Sequence, residues 1–168
     1  MAQEDRWALV DEDLAPFRVL LFRLLRKSAA KSAMLSDMSG QLLTFVGERP
    51  DLDLTGFLAL CAGDYAASHE MATMLGEDSF QALFHQGEDN QIYITALGNS
   101  ALLILLFGKD STLGLVRWAI RKYQSDLLNA LKQGVRSARE RAGAFSVVTA
   151  GDPLAQGVDD ALDAFFDA

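Results

Sequence analysis

The run from Ala101 to Phe107 is the feature that most limits the folds open to this chain. Its seven residues are all apolar, whereas a helix that crosses a membrane needs about 20 such residues. A short, continuously apolar run between turn residues is typical of a β-strand covered on both faces. We therefore expect a sheet that is packed on both sides.

The remaining sequence predicts helices and strands in alternation. Periodicity and turn residues divide the chain into helices at 14–31, 54–75 and 112–140 and strands at 33–38, 41–46, 82–86, 91–97 and 101–107. Turn compositions such as Ser39-Gly40 and Gly98-Asn99-Ser100 separate neighbouring strands. The order α-β-β-α-β-β-β-α predicts an α/β sandwich built on a five-stranded antiparallel sheet.

The C-terminal quarter has a different composition. We predict a folded domain over residues 1–140, a linker over 141–157 and an acidic amphipathic tail over 158–168. The linker contains three Gly and one Pro and shows little periodicity. In the tail, Leu162, Phe165 and Phe166 share one face of a predicted short C-terminal helix, and aspartates supply the charge.

Charge is unevenly distributed along the chain. Residues 112–141 contain seven basic and two acidic residues, a local balance of +5, whereas residues 151–168 contain five Asp and no base. Folding of the tail back onto the last helix and contact of the tail with another protein both fit this distribution.

The overall charge argues against two classes of partner. The chain has 15 basic and 23 acidic residues and a net charge of −8, and binding to phosphates starts from a basic face. We expect no nucleic-acid and no membrane partner. The single cysteine, Cys61, fits a reducing compartment, and the acidic N-terminus lacks the features of a signal peptide. These observations predict a cytoplasmic protein.

Candidate catalytic residues are few. A nucleophile pair of Cys61 with His69 or His85 is formally possible, but a small core cysteine and two partly exposed histidines is the favoured interpretation. The ligand spacings of a zinc site are missing. Gly108-Lys109-Asp110 lacks the Ser or Thr that follows Lys in a phosphate loop. We predict no metal, no cofactor and no active site.

The predicted helix 54–75 is apolar on two sides. Its small-residue face comprises Ala59, Ala62, Gly63, Ala66, Ala67 and Glu70, and its larger apolar face comprises Leu58, Cys61, Tyr65, Ala72 and Leu75. Glycine inside a helix costs about 1 kcal/mol relative to alanine, which is tolerated where another backbone approaches closely. Tight packing on its own sheet is one explanation. We favour contact with a helix of another chain, most simply across a two-fold axis.

Several segments resemble the Roadblock/dynein light-chain family, and specifically its bacterial MglB group. The similar segments are Ser39-Gly40-Gln41-Leu42-Leu43, Leu60-Cys61-Ala62-Gly63-Asp64-Tyr65-Ala66-Ala67, Leu75-Gly76-Glu77, Phe84-His85-Gln86-Gly87-Glu88, Ser111-Thr112-Leu113-Gly114-Leu115-Val116-Arg117 and Asp159-Asp160-Ala161-Leu162-Asp163-Ala164-Phe165-Phe166. The resemblance covers about residues 12–140 and the tail.

The resemblance implies a Roadblock-type fold and a homodimer whose sheets join edge to edge and whose second helices pack antiparallel. It also implies that one dimer binds one Ras-like GTPase of the MglA type. Such dimers act as GTPase-activating proteins without donating an arginine, because they realign the catalytic residues of the GTPase itself. Regulation of bacterial cell polarity and motility, and concentration at a cell pole, are further implications.

The resemblance also implies roles for individual residues. The paired second helices should make the surface that faces the GTPase, and the residues expected on or beside it are Leu60, Gly63, Ala66, Ala67 and Glu70. The expected apolar anchors of the tail are Leu162, Phe165 and Phe166. Tyr65 and His69 are larger than the residues expected near this surface. Arg117 invites interpretation as an arginine finger, which the resemblance disfavours. The alternative function is a non-catalytic Roadblock scaffold that links polarity proteins.

Overall fold

A computed structural model describes residues 9–150 of the chain, with side chains described through Arg141. The elements are α1 (Asp11–Ser28), β1 (Ser32–Asp37), β2 (Leu42–Gly47), α2 (Leu54–Met74), β3 (Leu83–Gln86), β4 (Gln91–Leu97), β5 (Ala101–Phe107) and α3 (Leu113–Ala150). This order and the five-stranded antiparallel sheet confirm the predicted fold class.

The apolar run of β5 lies at the centre of the sheet, whose strand order is β2-β1-β5-β4-β3. Successive side chains of a strand point to opposite faces. Leu103, Leu105 and Phe107 therefore join one core, with α1 and α3, whereas Leu102 and Ile104 join a second core with α2. Both faces of the sheet are covered, as the run predicted, by two helices on one side and one helix on the other.

Three helix boundaries differ from the sequence prediction by three residues or more. α1 ends at Ser28 rather than residue 31. α1 begins at Asp11 rather than residue 14, which places Pro16 in its second turn. α3 continues to Ala150 rather than residue 140, so residues 141–150, which were predicted as part of the linker, are helical. Gly143 is the only strong helix breaker in that stretch, and one glycine lowers helix stability without ending a helix. The remainder of the linker and the tail 158–168 lie outside the described residues.

An ion pair joins the start of α1 to the far part of α3. Arg141 donates to Asp13, with 2.7 Å between Nη1 and Oδ1 and a second contact from Nη2 to Oδ2. The Asp13 carboxylate also accepts a hydrogen bond from the backbone N–H of Val10, 3.0 Å away, at the N-terminus of α1. Its side chain is only 3% exposed. The hydrogen bond from Arg141, followed by the one from Val10, lowers the pKa of Asp13 against the opposing effect of burial.

The Asp13–Arg141 pair predicts a stability difference that depends on pH. A carboxylate with a lowered pKa stabilises the fold above its unfolded pKa of about 3.9, and that stabilisation is lost as pH falls through the folded pKa. Asp13→Asn should therefore unfold at lower urea concentration than the parent protein at pH 7, with a difference that narrows below about pH 4.

Asp11→Asn is the matched control, because Asp11 pairs with Arg18 at 2.8 Å while its own side chain is 93% exposed. Exposed pairs contribute little to stability, so this variant should unfold like the parent protein. The urea concentrations at which the Asp13→Asn and parent proteins unfold should differ less at low pH. A difference that stays constant down to pH 3 would contradict a stabilising role for the ionised carboxylate.

Candidate functional site

Helix α2 is the sole helix of the described chain on its face of the sheet, and only one of its sides is covered. Leu58, Cys61, Ala62 and Ala72 are buried toward the sheet. α1 and α3 pack against the opposite face of the sheet. The side of α2 that points away from the sheet therefore has no partner among the described residues.

Four of the eight predicted partner-binding residues lie on this uncovered side. The outer stripe, as we define it, comprises residues at helical spacing: Leu60, Gly63, Ala67, Glu70, Met71 and Met74. All of them are exposed, and Leu60 reaches 75%. A Cβ atom added at Gly63 would meet no atom within 4 Å. Close packing of α2 on its own sheet therefore does not explain the glycine.

The structure divides the two predicted faces of this helix differently. Ala62, assigned to the small-residue face, is buried in the core, and Leu75, assigned to the larger apolar face, is 73% exposed. Met71 and Met74 were missed as members of the outer surface, although Met74 is 86% exposed. The seven-residue spacing of Leu60, Ala67 and Met74 was the sequence signal that could have identified the stripe.

A groove runs along one flank of α2. It has a volume of about 650 Å³ and is bounded by α2, the segment after it and the β4–β5 turn. Ala66 and Glu70 line it together with Tyr65 and His69, the two residues larger than expected. The structure thus places Ala66 in this groove and Leu60, Gly63 and Ala67 on the adjacent stripe. The tail residues Leu162, Phe165 and Phe166 lie outside the described part of the chain.

Two contacts fix the position of α2 on the sheet. At the β1–β2 turn, Gly40 has φ +90°, and a Cβ atom there would lie 2.7 Å from the Cα of Ala59. Only glycine fits a turn that combines this conformation with such close approach. At the other edge of the sheet, His85 Nε2 of β3 lies 2.6 Å from Asp64 Oδ2 of α2.

Nucleophilic chemistry at Cys61 is disfavoured by its environment. Its side chain is buried, and desolvation followed by the nearby charge of Asp64 raises the pKa of the thiol to about 11. His85, one candidate base, contacts Asp64. Within residues 9–141, no group of three or more His, Cys, Asp or Glu side chains could hold a metal ion. No helix in the part described is both long and apolar enough to span a bilayer.

Comparison with known proteins identifies the family. The Roadblock/LC7 domain model matches residues 17–107, which include α1 to β5 apart from the first turns of α1. The chain belongs to the Roadblock/LC7 family. Among curated proteins, the search with this sequence finds no match.

Solved structures similar to this Roadblock/LC7 chain are MglB proteins. Myxococcus xanthus MglB is 31% identical, with a TM-score of 0.66, over 70% of this chain and 96% of that one. The gliding protein MglB of Thermus thermophilus is 29% identical, with a TM-score of 0.70, over 78% and 99%. A structure described as MglB with a tetrameric arrangement is 28% identical, with a TM-score of 0.71, over 79% and 99%. This likeness supports an MglB-like role.

The raised pKa of Cys61 predicts an unreactive thiol. With a pKa of about 11, roughly one thiol in a thousand is ionised at pH 8, and burial restricts access further. We expect iodoacetamide to alkylate the native protein far more slowly than the same protein in urea, as followed by mass spectrometry. Alkylation of the native protein as fast as in urea would restore Cys61 as a candidate nucleophile.

Proposed function

We propose that this chain forms a homodimer that binds a Ras-like GTPase of the MglA type and accelerates its GTP hydrolysis. Two copies of the chain would bind one GTPase, and the complex would regulate bacterial cell polarity and gliding motility from the cytoplasm or a cell pole. The observation that carries the proposal is the uncovered outer stripe of α2 on a chain similar to MglB.

The outer stripe has the properties of a helix-to-helix interface. It is apolar except for Glu70, and its small residues Gly63 and Ala67 allow another backbone to approach. Exposed apolar surface of this kind marks a protein interface more often than a solvated face. Pairing of two α2 helices across a two-fold axis would cover both stripes at once. Within the described chain, β2 and β3 are edge strands, so edge-to-edge joining of two sheets is available to the same dimer.

The composition of α2 supports a mechanism in which this protein donates no arginine to the GTPase. α2 contains no Lys or Arg, so it has no arginine finger to donate. Arg117 is on α3, where it lines a groove with Tyr65 and Gln81 rather than the outer stripe. We therefore propose that the dimer reshapes the GTPase so that its own catalytic residues reach the phosphate. Positioned catalytic groups of this kind raise GTPase rates by about 10³–10⁵.

GTP turnover by the cognate MglA-type GTPase tests this function. We expect this protein, at substoichiometric concentration, to stimulate hydrolysis, measured as phosphate release. Ala66→Arg should reduce binding and stimulation by roughly 30-fold or more, because a bulky side chain in an interface costs about 2 kcal/mol or more. The variant should keep the oligomeric state of the parent protein.

Ser125→Arg is the matched control, since Ser125 is exposed on α3, on the opposite side of the sheet. It adds the same charge and should leave stimulation unchanged. Binding without stimulation by the parent protein would favour the scaffold function instead. Unaltered binding by the Ala66→Arg variant would remove the groove from the proposed interface.

Gly63→Ala tests the dimer interface itself. Alanine has about 1 kcal/mol higher helix propensity than glycine, and the added methyl group meets nothing within the described chain. If a second α2 packs at this position, the methyl group separates the two backbones. We therefore expect the variant to have a higher dimer dissociation constant by analytical ultracentrifugation.

Gly114→Ala provides the comparison, because Gly114 is also helical, exposed and free of close neighbours. Its effect on self-association should be negligible. Equal dissociation constants for the Gly63→Ala, Gly114→Ala and parent proteins would exclude close packing of another chain at Gly63.

A further inference from the structure

A second groove lies between α3 and the β4–β5 turn, which also borders the groove beside α2. Its volume is about 330 Å³, and its apolar part is formed by Leu128, Leu131 and Val135. Gly98 of the turn forms one wall, where an added Cβ atom would lie 3.2 Å from Leu128 Cδ1. Lys132, Arg136 and Arg139 line the same groove. Their spacing of four and three residues places them on one side of α3.

The groove combines apolar surface with positive charge in a protein of net charge −8. Arg136 also contacts Glu140 at 2.8 Å. α3 itself carries seven basic residues and two acidic ones, Asp126 and Glu140, so its own charge is positive. An occupant that complements this groove should carry apolar side chains on one face and carboxylates beside them.

We propose that the groove binds the acidic tail of the same chain, residues 158–168. The tail supplies Leu162, Phe165 and Phe166 for the apolar part and Asp160, Asp163 and Asp167 for the basic residues. In a helical conformation the three aspartates lie on one side of the tail, as Lys132 and Arg136 do on α3. The opposite charges of tail and groove favour association over the short distances at which salt does not screen them.

The length of the chain between the two parts permits this contact. α3 ends at Ala150, and eleven residues of helix separate that point from Arg139, about 17 Å along the axis. Residues 151–157 can extend over about 23 Å, so the tail can return to the groove. The charge distribution alone fitted both contact of the tail with the last helix of its own chain and contact with another protein. The position and lining of the groove favour its own α3.

The docking is independent of the proposed GTPase-activating function. Only its consequence depends on that activity: a tail held in the groove keeps Phe165 and Phe166 from the GTPase. A partner that binds the tail would then have to displace it from α3. The groove on α3 and the tail-binding site on the partner would therefore compete for the same tail.

Paramagnetic relaxation in the full-length chain tests the docking. A nitroxide is attached at Ala164→Cys, on the side of the predicted tail helix away from its apolar face, with Cys61→Ala removing the native thiol. We expect loss of amide signal intensity at Ser100, Leu128 and Lys132 but not at Gly63 or Ala67. Raising the salt concentration from 0.1 to 1 M shortens the Debye length from about 10 to about 3 Å and should partly restore the signals.

Two double charge-reversal variants distinguish an effect of the groove residues from an effect of the overall charge. Lys132→Glu with Arg136→Glu should abolish the intensity loss, whereas Arg121→Glu with Lys122→Glu, on the same helix outside the groove, should preserve it. Unchanged signals around the groove in the parent protein would overturn the proposal. Equal effects of the two double variants would overturn it as well.

Mixed samples identify which copy supplies the tail. Isotope-labelled protein without a nitroxide is combined with unlabelled protein that carries one, under conditions that permit subunit exchange. Signals that remain intact in the mixture support docking within the same chain. Intensity loss at Ser100 and Leu128 in the mixture would overturn the proposal in favour of a tail from a second copy.

Discussion

The two-sided burial of β5 is the constraint on which the rest of the fold depends. Because its side chains alternate between faces, Leu103 and Leu105 require one apolar layer and Leu102 and Ile104 require another. Each face of the central strand must be covered, since leaving large aliphatic side chains in water is unfavourable by about 25 cal/mol per Å² of apolar surface. Helices on both sides of the sheet satisfy this requirement.

The two faces of the sheet are covered by different numbers of helices, and this difference produces the candidate site. α1 and α3 share one face of the sheet and bury side chains against each other, with the Asp13–Arg141 pair joining them. α2 covers the other face alone. A helix with the sheet beneath it and no neighbouring helix can bury only one side, and on α2 the other side is also largely apolar. The exposed outer stripe therefore follows from how three helices are distributed over two faces.

The proposed behaviour of the tail has a comparable origin in α3. That helix continues to Ala150, and its basic side chains Lys132 and Arg136 are exposed while Leu131 and Ala138, on its other side, are buried. The β4–β5 turn, brought against Leu128, converts one side of the helix into a groove. An acidic apolar segment follows in the same chain. The two proposed partners of the tail, α3 and a GTPase, would then compete for the same aromatic side chains.

Local patterns in the sequence determined the order of elements and the family. Continuous apolarity identified β5, turn residues separated the strands, and helical spacing identified α1 to α3 within a few residues at most ends. The end of α3 was misplaced because a single glycine, Gly143, resembles a break yet is compatible with a helix.

Only the tertiary structure decided which side of α2 stays exposed. Ala62 and Ala66 have the same side chain, and Leu58 and Leu60 likewise, but their burial differs because the sheet contacts one side of the helix. Composition and spacing show that the helix has two apolar sides, and the position of the sheet determines which of the two is buried.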